Sequence, residues 1–123
     1  MSISAAESTV MEALWRRSPL TAEEIIAEVA GPNDWSEATV KTLLNRLLTK
    51  QVIAADRDGR RYAYRPLVDR DAYVDAESRN LLDRLFDGSL ASLMSHFSER
   101  EQLSAKEIAE LKRLITEIDK NER

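Results

Sequence analysis

The sequence predicts a mostly α fold with a small β-hairpin, and three observations point to it. Between Ser4 and Gln51, apolar residues recur at helical spacing behind side chains that cap helices. The period then drops to two on either side of an Asp-Gly pair, Asp58-Gly59. From Asp69 the helical period returns and holds to the end. The chain has 123 residues, room for one domain or for one small domain with an appendage.

Each element has its own signal. Ser4-Ala5-Ala6-Glu7 is a capping box, in which the serine accepts from the third amide and the glutamate answers. Val10, Met11, Leu14 and Trp15 follow, so the first helix is expected from Ser4 to Arg17, stopped by Ser18-Pro19. Thr21-Ala22-Glu23-Glu24 is a second box. It opens a short helix with Ile25, Ile26 and Val29 inward, expected to end at Gly31-Pro32. Asn33-Asp34-Trp35 reads as a turn. Ser36 caps a third helix carrying Val40, Leu43, Leu44, Leu47 and Leu48 to about Gln51. Val52 to Asp56 and Arg61 to Arg65 are strand candidates around a turn at Arg57-Asp58-Gly59-Arg60, because Asp-Gly accepts positive φ. Pro66 ends the second strand. Gly88-Ser89 breaks the later helical stretch once, and Ser104-Ala105-Lys106-Glu107 opens a last helix after a polar connection. The domains are expected at 1–68 and 69–123.

Composition excludes several chemistries. Cysteine is absent, which removes disulfides, thiol nucleophiles and zinc ribbons. His96 is the one histidine, so a multi-histidine metal site is not expected, and neither metal nor cofactor is. No nucleophile–base–orienter set is visible, and Glu23 and Glu24 are accounted for by capping, so an enzyme is not expected. No apolar run reaches the ~20 residues of a membrane span, and Met1 to Ser8 lacks the pattern of an export signal. A cytoplasmic protein without membrane insertion is the expectation.

Net charge is −4, which averages over an uneven chain. Ser36 to Arg65 holds seven basic residues against three acidic ones, while Tyr73 to the end holds eight against eleven. A positive block inside an acidic chain is a local electrostatic footprint. It coincides with the order helix, short helix, turn, longer helix, hairpin, which is that of a winged helix-turn-helix. On the wheel of the third helix Val40, Leu43, Leu44 and Leu47 share one side. Ala38, Lys41, Thr42, Asn45, Arg46 and Thr49 share the other.

A helix of this kind suits a major groove: Lys and Arg for phosphate or guanine, Asn for adenine, Thr and Ala for backbone or a thymine methyl. The expected DNA-binding residues are Trp35, Ser36, Ala38, Thr39, Lys41, Thr42, Asn45 and Arg46, with Arg57, Arg60 and Arg61 on the wing. Ser36 marks the positive end of the helix dipole, a place for a phosphate. Trp35 reads either as a phosphate donor or as a staple on the core. The expected partner is double-stranded DNA.

The C-terminal stretch carries an apolar stripe on each helix. Leu81, Leu82, Leu85 and Phe86 form one, Leu90, Leu93, Met94 and Phe97 another, and Ile108, Leu111, Leu114, Ile115 and Ile118 the third. About 50 residues is a small unit to stand alone. These stripes either pack back on the first domain or join a second chain, and a homodimer reading paired half-sites is the favoured expectation.

At these residues a resemblance appears. Leu20-Thr21-Ala22-Glu23-Glu24-Ile25-Ile26, Asp34-Trp35-Ser36 and Thr39-Val40-Lys41-Thr42-Leu43-Leu44-Asn45-Arg46-Leu47 resemble the penicillinase-repressor family, BlaI and MecI with the copper-responsive CopY branch. The start from Ile3 to Trp15 fits as well. So do Ser92-Leu93 through Phe97 and the run from Leu103 to Leu111. The resemblance implies a homodimeric repressor on a palindromic operator with a TACA/TGTA dyad. It also implies control of β-lactamase or cell-envelope stress genes, hence antibiotic resistance, and a membrane sensor metalloprotease that triggers cleavage in the dimerisation region. Two features depart from the family. The cleaved Asn-Phe bond is matched here by His96-Phe97, and the cysteine cluster of the copper branch is missing. The alternatives are a winged-helix protein-interaction module and an effector-binding regulator not controlled by proteolysis.

Overall fold

The structure is a computed structural model that describes residues 2–121. Among these residues the chain runs α1 (Ala5–Arg16), β1 (Leu20–Thr21), α2 (Ala22–Asn33), α3 (Glu37–Thr49), β2 (Ile53–Asp58), β3 (Arg61–Pro66), α4 (Arg70–Phe86), α5 (Leu90–Glu99) and α6 (Ala105–Asn121). It divides into two compact units, one ending at Val74 and the other running from Asp75. The division lies six residues beyond the expected 68/69 boundary. Trp15 explains this: its indole N–H donates to the Val68 carbonyl at 2.9 Å, and its ring lies 5.4 Å from that of Tyr73 in the first turn of α4.

The first unit is built by caps and one shared core. Ser4 Oγ accepts from the Glu7 N–H, and Glu7 Oε1 accepts from the Ser4 N–H, both at 3.1 Å. Thr21 and Glu24 repeat the exchange at 3.2 and 3.0 Å. Val10, Met11 and Leu14 of α1 meet Ile25 and Val29 of α2 and Val40, Leu43, Leu44 and Leu47 of α3, all buried. Leu20, Val52 and Ile53 close the base of this core. Ile26 and Leu48, expected inward, are only half-buried.

Three local expectations are corrected. Helix α2 does not end at Gly31-Pro32. Pro32 sits in its last turn, where the missing amide forfeits one bond, and the helix ends when Asp34 turns left-handed at φ 55°. The Asp34 N–H then reaches Gly31 O at 3.1 Å and the Trp35 N–H reaches Ala30 O at 2.9 Å, a Schellman ending. Helix α3 stops at Thr49 rather than Gln51 by the same device, with Gln51 at φ 61° and the Val52 N–H on Leu47 O at 3.2 Å. In the hairpin Asp58 pairs with Arg61, so the two-residue turn is Gly59-Arg60 and Asp58 belongs to the ladder. Gly59, at φ 65°, meets the demand of the turn's first position for positive φ.

A third strand was not expected. Leu20 pairs with Tyr64 and Thr21 with Ala63, giving an antiparallel sheet of order β1-β3-β2. A two-residue strand leaves no period to read. Leu20 is set into the core by this pairing while Thr21 serves strand and cap together.

The second unit contrasts with the first. Among its described residues none is buried, and Leu85, Leu90 and Ile115 are 61%, 61% and 63% exposed. Helix α5 starts from Ser89, whose Oγ accepts from the Ser92 N–H, and α6 from Ser104, whose Oγ accepts from the Glu107 N–H, each at 3.1 Å. Among the described residues no helix is long and apolar enough to cross a membrane.

Candidate nucleic-acid interface

Helix α3 is divided into two faces. Val40, Leu43, Leu44 and Leu47 are sealed in the core, while Ala38, Thr39, Lys41, Thr42, Asn45, Arg46 and Thr49 are exposed. The division follows from the helical period: residues three and four apart share a side. The threonines on the open face are tied to their own helix. Thr42 Oγ1 donates to Ala38 O at 2.9 Å and Thr49 Oγ1 to Asn45 O at 3.0 Å, which engages both hydroxyl protons within the helix. Thr42, Asn45, Arg46, Thr49 and Lys50 line one shallow groove of about 310 Å³.

At the start of this helix Ser36 Oγ accepts from the Thr39 N–H at 3.1 Å and lies 3.0 Å from Thr39 Oγ1. Trp35 is half-buried, its ring packed on the core. Arg57, Arg60 and Arg61 are exposed on the wing. Arg57 Nε donates to Gly59 O at 3.2 Å and so braces the turn from within. Arg65 is paired with Asp56 at 2.6 Å, which offsets part of the basic block. The Thr21 hydrogen bonds, with smaller help from Arg17 and Arg61, hold the Glu24 carboxyl below its ordinary value.

Sequence reasoning missed one participant. Lys50 counted only as charge, yet its Nζ lies 2.7 Å from Glu7 Oε1 and 2.9 Å from Ser2 O. Burial pushes the Glu7 carboxyl up, but the Lys50 and Ser4 hydrogen bonds outweigh it and hold the group below its ordinary value. No local pattern announces a contact between residues 43 positions apart.

The residues read as a dimerisation surface lie on α4, α5 and α6. Leu82, Phe86, Leu93, Met94 and Leu111 are half-buried; Leu85, Leu90, Phe97, Ile108, Leu114, Ile115 and Ile118 are exposed. Met94, Leu103 and Leu111 line a groove between α5 and α6. His96 and Phe97 fall inside α5, both exposed, with ring centroids 5.5 Å apart, and the His96 ring meets Phe86 edge-on at 5.9 Å. Among the described residues no group of three or more His, Asp or Glu side chains is placed to hold a metal ion.

Known proteins carry the same pattern. The sequence profile of the penicillinase repressor family matches residues 3–117. The penicillinase repressor of Bacillus licheniformis is 36% identical over 115 residues, covering 94% of this chain and 90% of that protein. The methicillin resistance regulatory protein MecI of Mammaliicoccus sciuri is 34% identical over 113 residues, 92% of each. The solution structure of the Bacillus licheniformis BlaI monomer with the blaP half-operator matches at a TM-score of 0.54 and 34% identity, over 59% of this chain and 89% of that one. With its profile spanning almost the whole length, the chain belongs to the penicillinase repressor family and is a winged-helix transcriptional repressor, not an enzyme.

Proposed function

We propose that the protein is a homodimeric repressor that binds a palindromic operator in the cytoplasm. In this reading the first unit reads DNA and the second holds the dimer. The observation that carries the reading is the open face of α3, where Lys41, Thr42, Asn45 and Arg46 lie exposed above a sealed apolar side and beside a wing of three exposed arginines. A helix of this polarity enters a major groove, and a hairpin beside it reaches the flanking phosphates. One half-site offers few contacts. Two chains joined by α4, α5 and α6 would multiply affinity through effective concentration. The names of the relatives, a penicillinase repressor and a methicillin resistance regulator, support β-lactamase genes as the proposed targets, with cell-envelope stress genes proposed from the family resemblance alone.

Replacing Lys41 and Arg46 together with Ala tests the reader. Each lost base contact is expected to weaken binding by about 1–3 kcal/mol, and a lost phosphate contact by less. A gel shift that both replacements leave unchanged rejects α3 as the reading element. A steep fall in affinity as salt rises separates DNA binding from a protein-interaction module.

The proposal includes relief of repression by a membrane sensor metalloprotease that leads to cutting at His96-Phe97. The cut would separate α6, with Ile108, Leu111, Leu114, Ile115 and Ile118, from the rest of the chain. Because the bond lies within a helix, cutting requires α5 to open locally. Mass spectrometry of the repressor from induced cells checks this: a fragment ending at His96 supports it, and a chain intact under full induction rejects it.

A further inference from the structure

The two capping boxes of the first unit do the same local work in different surroundings. Glu24 completes its box from an exposed position, whereas the Glu7 side chain is only 3% exposed. Capping one amide does not require a carboxylate to leave water. Removing it from water is costly unless a cation follows it. Lys50 is that cation, at 2.7 Å from Glu7 Oε1, and its second contact is the Ser2 carbonyl at 2.9 Å. Glu7 Oε2 is buried and has no hydrogen-bond partner among the described residues, so the carboxylate is held through Oε1, by the Ser4 N–H and by the cation of Lys50. Lys50 is also the residue that caps α3, its own N–H reaching Arg46 O at 2.9 Å. The pair therefore ties the C-terminal cap of α3 to the first turn of α1.

We propose that Glu7 and Lys50 are positioning residues for DNA reading: their ion pair, closed by the Ser2 carbonyl, sets the angle at which Asn45, Arg46 and Thr49 face a duplex. The inference rests on the reading of α3 as the DNA-binding helix. It assigns Lys50 to the protein rather than to a phosphate, although it borders the groove beside Asn45 and Arg46. Two of its three N–H donors are engaged by Ser2 and Glu7, and its charge is already matched by a buried partner. Base contacts depend on geometry and phosphate contacts mainly on charge, so the two roles separate in what they do to specificity.

The experiment uses the full chain. Wild-type protein selects its preferred duplex from a random pool. Affinity for that duplex and for a scrambled one is then read by fluorescence anisotropy for wild type, Glu7→Gln, Lys50→Met, the double variant and Lys50→Arg. Electrostatics alone predicts that Glu7→Gln binds all DNA more tightly, since it removes a negative charge. Positioning predicts that the ratio of specific to scrambled affinity falls about tenfold in either single variant, the worth of one lost base contact. The double variant should be no worse than Lys50→Met, and Lys50→Arg should recover most of the ratio. An unchanged ratio in the single variants overturns the proposal. So does a Lys50→Met loss equal on both duplexes, with a shallower salt dependence, which would make Lys50 a phosphate contact. Should Glu7→Gln fail to fold by circular dichroism, the half-exposed Lys50→Met decides. A wild-type protein that enriches no sequence would remove the DNA-reading function itself, a failure visible before any variant is made.

Discussion

Helices α3 and α6 are both amphipathic, but only one of them is closed. In α3 the apolar side is buried at four positions; in α6 Ile108, Leu111, Leu114, Ile115 and Ile118 form a stripe of which none is buried. The difference is one of company. Helix α3 crosses α1 and α2 and is followed by a sheet that shuts the base of the core. The second unit has no sheet among its described residues. An apolar stripe is thus a request for a partner, and the first unit answers it from its own elements while the second unit does not from its own.

The comparison is broken most severely from the closed side. Leu14 is fully buried between the helices of the first unit. Leu14→Ala is expected to lower stability by about 2–5 kcal/mol, through lost transfer and a residual cavity. Urea unfolding followed by tryptophan fluorescence checks it, because Trp15 and Trp35 both lie in the first unit. The loss should not depend on protein concentration. A concentration-dependent loss would mean that the first unit also leans on a second chain.

From the open side, Ile115→Asp is the sharper tool. At 63% exposure the side chain gives a single chain little to lose. If a second copy covers it, the change places an unpaired charge in that interface. Sedimentation should then shift from dimer to monomer, and operator affinity should fall about a hundredfold, or ~2.7 kcal/mol, as the two half-sites uncouple. A dimer that persists would move association to another surface.

The closed unit was also the more legible one, for a physical reason. Its caps and stripes are local, so Ser4, Glu7, Thr21, Glu24, Ser36 and the apolar positions of α1 and α3 could be placed from spacing alone. What stayed hidden was decided by tertiary geometry. Asp34 and Gln51 end α2 and α3 in left-handed conformations without a glycine to announce them. Strand β1 is two residues long and exists only because β3 lies beside it. Lys50 finds Glu7 across 43 positions of sequence. On the candidate interface, the exposed face of α3 followed from its period. The bracing of Arg57 onto Gly59 and the pairing of Arg65 with Asp56 did not, because they depend on the register of the hairpin. In the second unit the stripes were legible, but a single sequence carries no signal for what covers them.

The smallest expected effect concerns acid, and it asks whether the caps of the first unit work as charges or only as shapes. The Thr21 hydrogen bonds hold the Glu24 carboxyl below its ordinary value in the folded chain. A carboxyl that is more acidic folded than unfolded stabilises the fold above its unfolded value, and that contribution is lost as pH falls through the folded one. Wild-type stability should therefore decline as pH drops below the ordinary carboxylate range. Glu24→Gln keeps an oxygen that can accept from the Thr21 N–H but has no proton to gain, so its decline should be shallower by the Glu24 share. Urea midpoints followed by tryptophan fluorescence between neutral pH and acid read this in the first unit alone. Glu7 must be left intact in the comparison, because its carboxyl is also held low and titrates in the same direction. Curves for wild type and Glu24→Gln that fall in parallel would show that the second box acts through shape, and would leave the buried Glu7–Lys50 pair as the acid-sensitive element of α1 and α3.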